Sequence, residues 1–235
     1  MGDLKIGSLF SGIGGLELGL EWAGVGRVVW QVECDPFCRK VLAKHWPGVK
    51  QYEDVQKVGA ELERVDVVCG GFPCQDLSGA HTAGKRRGLD GAKSGLWSEY
   101  LRIVESCRPT WIVVENVMPC RDWLPFVRRD LHEIGYSSVP VLLRACDVAA
   151  PHERPRCFVL AHADGKGEPL RAEHAKVAGL RALSKPGRHW GAPPPRGFRM
   201  DDGVPRGMDR LRCLGNAVVP QCAEVIGRII VAAHG

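Results

Sequence analysis

Val65-Asp66-Val67-Val68-Cys69-Gly70-Gly71-Phe72-Pro73-Cys74-Gln75-Asp76-Leu77-Ser78 begins as a short apolar run, breaks at two glycines, and sets a proline directly before a cysteine. Val65–Cys69 reads as a buried strand. The thiol of Cys74 then sits beyond the carboxyl end of a strand, where open α/β sheets hold their ligands. Pro73 fixes its own φ and biases Phe72 toward an extended conformation, so Cys74 leaves the strand at a defined angle. A helical turn starting here would favour thiolate over thiol, because its free N–H groups carry partial positive charge. A lone cysteine is more often a buried structural residue. The strand end and the proline distinguish this one.

Other strand ends carry chemistry too. Leu4–Phe10 reads as a first strand, followed by Ser11-Gly12-Ile13-Gly14-Gly15 and a helical stretch with Leu16, Leu18, Leu20 and Trp22. Strand, glycine turn and helix in that order let a cofactor approach the backbone closely. Val28–Val32 is a second strand that ends at Glu33. An acid there is placed to bind the two ribose hydroxyls of an adenosine cofactor. Pro36 opens a helix running to about His45. Leu96–Cys107 reads as a helix, and Thr110–Val114 as a buried strand ending in Glu115-Asn116-Val117. A carboxylate at such a strand end is costly unless it is paired or used. A helix over 121–134 and a strand over 137–144 follow. Arg154 and Arg156 lead into a further strand, and alternation predicts that they share a face. Gly215-Asn216-Ala217-Val218-Val219-Pro220 opens a last helix with Ala223, Val225, Ile226, Ile229 and Ile230 as its apolar residues.

At 235 residues, with 45% hydrophobic and 25% charged content, the chain suits one sizeable core with a small appendage. No apolar run is long enough for a bilayer, and Met1–Lys5 is no signal peptide, so neither membrane nor secretion is expected. The ten cysteines form no Cys-x-x-Cys pair, which points to reduced thiols rather than disulfides or zinc. The net charge is +5, and residues 165–199 alone hold eight Lys/Arg against two acids. A basic segment attached to a nearly neutral body suits a polyanion. Residues 79–95, with five glycines and Lys85, Arg86, Arg87 and Lys93, read as a lid with phosphate-binding charge.

Gly-Phe-Pro-Cys-Gln with the downstream Ser78 resembles the catalytic signature of the DNA (cytosine-5) methyltransferases. Leu9-Phe10-Ser11-Gly12-Ile13-Gly14-Gly15-Leu16-Glu17 resembles that family's S-adenosylmethionine loop, Glu115-Asn116-Val117 its acidic motif, and Gly215–Pro220 its last motif. The motifs occur in the family's order over residues 4–162 and 210–232. The resemblance implies an α/β, doubly wound S-adenosylmethionine-dependent methyltransferase fold with a small basic recognition insert. It divides the chain into a catalytic and cofactor-binding part (1–163), a reduced target-recognition segment (164–206) and a closing motif and helix (207–235), which should pack near the first strand. It implies Cys74, Glu115, Arg154 and Arg156 as catalytic residues. It implies Phe10, Gly12, Ile13, Gly14, Gly15, Glu33, Asp54, Val55, Pro73, Asn216 and Val218 around the cofactor, and Ser78, Lys85, Arg86, Arg87 and Lys93 on DNA. Cys34 stands where the family often has a bulky residue against the adenine, and His152 where it usually has Gln.

The implied activity is methyl transfer from S-adenosylmethionine to carbon 5 of cytosine in double-stranded DNA. The expected setting is a monomer without metal, in a bacterial or phage-infected cytoplasm and of restriction-modification type. Two alternatives stay open: a cofactor- or DNA-binding relative with weak or lost catalysis, and an RNA (tRNA) cytosine-5 methyltransferase.

Overall fold

The computed structural model describes residues 4–73, 95–163 and 215–234. Seven strands form one mixed sheet: β1 (Leu4–Leu9), β2 (Gly26–Val32), β3 (Lys50–Tyr52), β4 (Val67–Gly70), β5 (Trp111–Val117), β6 (Ser137–Arg144) and β7 (Pro155–His162). Their spatial order is β3-β2-β1-β4-β5-β7-β6. The first five run parallel, and β7 is antiparallel to both β5 and β6. The helices are α1 (Gly15–Trp22), α2 (Pro36–His45), α3 (Gly95–Cys107), α4 (Leu124–Glu133) and α5 (Pro220–His234).

The central strands read as continuous apolar runs because both faces of the sheet are covered. Alternation sorts them. Val67, Cys69, Trp111 and Val113 face a core completed by Leu16 and Leu20 of α1 and by Ala223, Ile226 and Ile230 of α5. Val68, Ile112 and Val114 face the opposite core, closed by Trp97, Tyr100 and Ile103 of α3 and by Val127 and Leu131 of α4. The last helix therefore packs beside α1 and the first strand, as the resemblance implies.

Local chemistry explains the boundaries. Asp35 accepts hydrogen bonds from the N–H groups of Phe37 (2.8 Å) and Cys38 (3.2 Å), and Pro36 follows it, so α2 starts where expected. Strand β5 extends past Val114 through Glu115 and Asn116, which pair with Phe158 and Cys157 of β7. Strand β3 was not expected; three residues are too few to show a period of two. Ala217–Val219 lie ahead of α5, which begins at Pro220, one turn later than the motif suggested.

Candidate active site

The carboxyl ends of β1, β2, β4 and β5 lie side by side, and the loops leaving them carry most of the expected residues. After β1 the chain turns through Phe10 (φ 54°), Gly12 (φ 55°) and Gly14 (φ 87°) into α1. The N–H of Gly12 donates to Glu33 Oε2 (2.7 Å), and the N–H of Asp35 donates to Glu33 Oε1 (2.8 Å). Glu33 thus ties the first loop to the second. Gly15 must be glycine: a Cβ there would lie 2.2 Å from the carbonyl oxygen of Val218. That contact seats the Gly215–Val219 segment on the glycine loop.

A cavity of about 50 Å³ opens between these parts. Phe10, Gly12, Ile13, Gly15, Glu115, Asn216 and Val218 are among the residues that line it. Gly14 sits instead on a second cavity of about 790 Å³, on the other side of the loop against Trp46, His152 and Arg154. That larger cavity is mostly apolar; neither cavity includes Glu33 or Asp54, and of the candidate acids Glu115 lines the smaller one only. Asp54 and Val55 follow β3 and lie on neither wall. Asp54 caps its own turn through the N–H of Gln56 (3.0 Å) and pairs with Lys57 (3.4 Å). Val55 is buried, and its carbonyl accepts from Arg102 (2.8 Å). Pro73 is exposed at the end of the loop after β4. Cys74, Ser78, Lys85, Arg86, Arg87 and Lys93 lie outside the described residues, as does the 164–206 segment.

Glu115 is buried on β5, and its Oε1 accepts from Arg156 Nε at 2.9 Å. Burial pushes its carboxyl up to about 7, against the opposing pull of Arg156 and Arg154. A buried acid poised near neutrality can hold a proton and give it up. Gly71 makes room for it, since a Cβ at Gly71 would lie 2.6 Å from Glu115 Oε2.

The sequence assigned no role to Asn116, which is buried beside Glu115. Its Nδ2 donates to the carbonyl of Phe72 (3.0 Å), and its Oδ1 accepts from the N–H of Val117 (2.7 Å). It fastens the Phe72-Pro73 corner to the strand that bears Glu115. Its only sequence signal was its place inside the Glu-Asn-Val string.

One expectation needs correction. Arg154 and Arg156 do not alternate along a single strand face. Arg154 precedes β7 with φ 38°. Its Nη2 donates to the carbonyls of Gly215 (2.6 Å) and Ala217 (2.7 Å). The carbonyls ahead of α5 have no strand partners, and the guanidinium fork satisfies them. Arg156 alone carries the ion pair with Glu115.

Among the described residues no group of three or more His, Cys, Asp and Glu could hold a metal ion, and no helix is long and apolar enough to cross a membrane.

A family model described as C-5 cytosine-specific DNA methylase matches residues 4–183. The Type II methyltransferase M2.BsuMI of Bacillus subtilis is 38% identical over 167 residues, covering 67% of this chain and 42% of that protein. The Type II methyltransferase M.AquIA of Picosynechococcus is 32% identical over 187 residues, covering 70% of this chain and 74% of that protein. A solved structure of a DNA modification methyltransferase encoded within an E. coli prophage superposes with a TM-score of 0.56 at 26% identity, over 68% of this chain and 47% of that one. The chain thus spans less than half the length of M2.BsuMI and of the prophage protein.

Proposed function

The chain belongs to the C-5 cytosine-specific DNA methylase family, and from that premise we propose that it methylates carbon 5 of cytosine in double-stranded DNA. The observation that carries this reading is Glu115. It is a buried acid, raised to about 7, on the same cavity as a glycine loop and joined through Asn116 to the corner that precedes Cys74.

Carbon 5 of cytosine is a poor nucleophile. In the proposed reaction the Cys74 thiolate adds to carbon 6, which turns the ring into an enamine. Charge develops on the ring, and Glu115 supplies a proton near ring nitrogen 3. Arg156 holds Glu115 in place and presents a guanidinium toward the carbonyl oxygen or a nearby phosphate. Arg154 acts at one remove, by pinning the Gly215–Ala217 turn. Loss of the carbon 5 proton and departure of Cys74 restore the ring. In a duplex the base must leave the stack, and residues 79–95 are the candidates to close over it.

The residues around the glycine loop, more than the cavity of about 50 Å³ itself, suit S-adenosylmethionine in their donors and acceptors. Glu33 and the N–H groups of the glycine loop suit an adenosine, and the Gly15–Val218 contact leaves an open cradle above Gly12, where a Cβ would meet nothing within 4 Å. When bound, that cofactor supplies the methyl group. Glu33, Asp54 and Asn216 would hold it, with Asp54 moved from its present capping role.

Glu33→Ala is expected to weaken S-adenosylmethionine binding by about 1–3 kcal/mol, since it removes hydrogen bonds in a partly buried site and frees Gly12. Calorimetry reads this directly, and an unchanged affinity would remove Glu33 from the site. The lid and the basic 164–206 segment are proposed to contact phosphate, so DNA affinity should fall steeply as salt rises. A flat response would leave that charge without a DNA role. The setting we propose is a monomer in a bacterial or phage-infected cytoplasm.

The activity is tested by incubating the protein with methyl-labelled S-adenosylmethionine and either mixed-sequence DNA or tRNA, then mapping the labelled base. Label at carbon 5 of cytosine in DNA is expected. Label confined to tRNA, or none, contradicts the reading.

A further inference from the structure

Among the described residues, two acids on helices are almost wholly buried. Asp130 on α4 is saturated: Trp97 donates to one oxygen (2.9 Å) and Arg129 to the other (2.8 Å). Glu17, in the first turn of α1, is not. It has no exposed surface, and neither carboxylate oxygen has a donor at full hydrogen-bond geometry, with Ser8, Ser11 and Gln31 as its nearest polar neighbours. Buried acids are normally paired, so an unpaired one calls for an explanation.

Glu17 lines the same cavity of about 50 Å³ as Phe10, Gly12 and Asn216, with Ser8 and Ser11 beside it. Ser11 donates to Ser8 (2.9 Å). Both amide atoms of Gln31 on β2 are also buried without partners. Ser8, Ser11 and Gln31 are near enough to ease ionisation of Glu17, yet burial dominates and its carboxyl is pushed up to about 6.

The titratable groups around it are all acids or thiols. Cys69 faces it from β4, with its thiol held protonated by burial and by Glu17 itself. Glu115 on β5 lines the same cavity. Glu21 lies one turn along α1 and acts on the same Cys69. Ser8 and Ser11 from β1 and its turn, Gln31 from β2 and Asn216 ahead of α5 are neutral. Among the described residues lining this cavity there is no cation. None of these described groups offers the carboxylate a positive charge.

We propose that Glu17 is a charge-sensing residue of the cofactor site, favouring the positively charged sulfonium cofactor over its uncharged thioether product. Glu17 has this role only if the cavity is the S-adenosylmethionine site proposed above. A cation brought into a low-dielectric cavity stabilises the ionised carboxylate. Glu17 therefore loses a proton as the sulfonium compound binds. The thioether, one positive charge poorer, leaves it protonated. By linkage, the preference for sulfonium over thioether must rise with pH between the cofactor-bound value of Glu17 and its free value of about 6, and level off above that. The consequence is easier release of product.

The test is calorimetry of S-adenosylmethionine and S-adenosylhomocysteine between pH 5 and 8, in two buffers of different ionisation enthalpy, which counts protons released on binding. Below pH 6, where free Glu17 holds its proton, the sulfonium compound should release up to one proton and the thioether should not. The preference should rise about tenfold for each unit by which the bound cofactor lowers the Glu17 value. Glu115→Gln, which takes away the other raised carboxyl on this cavity, should keep both effects, and adding Glu17→Gln to it should remove them. Equal proton release by the two ligands, or release that persists when Glu17→Gln is added to Glu115→Gln, overturns the role of Glu17. The two-ligand comparison in Glu115→Gln alone decides even if the added Glu17→Gln fails to fold. Binding of neither ligand overturns the site reading and the role of Glu17 together; binding of both without a difference in proton release overturns the role alone.

Discussion

Cys74→Ser is expected to abolish methyl transfer while leaving cofactor binding nearly unchanged. The chain has ten cysteines, and Cys74 is the one inside the Gly-Phe-Pro-Cys-Gln string; Cys120 also follows a proline past a strand end but lies outside that motif. The described thiols point the same way. Burial pushes Cys69 and Cys107 up, and Cys157 and Cys222 to about 12. Burial and Glu33 together raise Cys34. Such thiols stay protonated near neutral pH and are inert. Serine at 74 keeps the size of the side chain, but an alcohol is almost never ionised at neutral pH and adds poorly to the ring. Cofactor titration by calorimetry, run beside a methyl-transfer assay, separates the two effects. Transfer that survives in Cys74→Ser would remove the covalent step.

The second large effect is expected at Glu115. Glu115→Gln should lower transfer by about 10²–10⁴-fold, the usual worth of a positioned proton donor. It removes the donor with almost no change of volume, so the fold should persist. The pH dependence follows from burial. The carboxyl of Glu115 is raised to about 7, so the group is protonated below that value and loses its proton above it. In the unaltered protein the rate should therefore fall as pH rises past about 7, while the need for a Cys74 thiolate lowers it on the acid side. In Glu115→Gln the alkaline fall should disappear from the residual rate. Rate profiles between pH 5 and 9 check this, and an alkaline limb unchanged by the substitution would take Glu115 out of the proton transfer.

Most of the frame was legible before any coordinates. Buried parallel strands announce themselves as apolar runs, so β1, β2, β4 and β5 were found from their residues alone. Asp35-Pro36 marked the start of α2 because a cap and a proline act locally. What escaped depends on tertiary partners. Strand β3 exists because β2 offers it an edge, not because Lys50–Tyr52 has a pattern. Arg154 was misplaced because alternation holds only inside a strand, and the strand begins one residue later. Glu17 reads as an ordinary acid in a helix first turn. Only the packing of α1 between β1 and α5 buries it, and no local rule reports that. Asn116 was visible as a letter of a motif, but its bond to Phe72 joins residues 44 positions apart.

The covalent step through Cys74 is the centre of this account, and DNA carrying 5-fluorocytosine tests it most directly. Fluorine cannot leave as a proton does, so the ring cannot be restored once the thiolate has added and the methyl group has moved. In the presence of S-adenosylmethionine the protein should stay bound to such DNA on a denaturing gel, with the attachment mapped by mass spectrometry to Cys74. Protein that methylates ordinary DNA yet forms no adduct with the fluorinated DNA would contradict it.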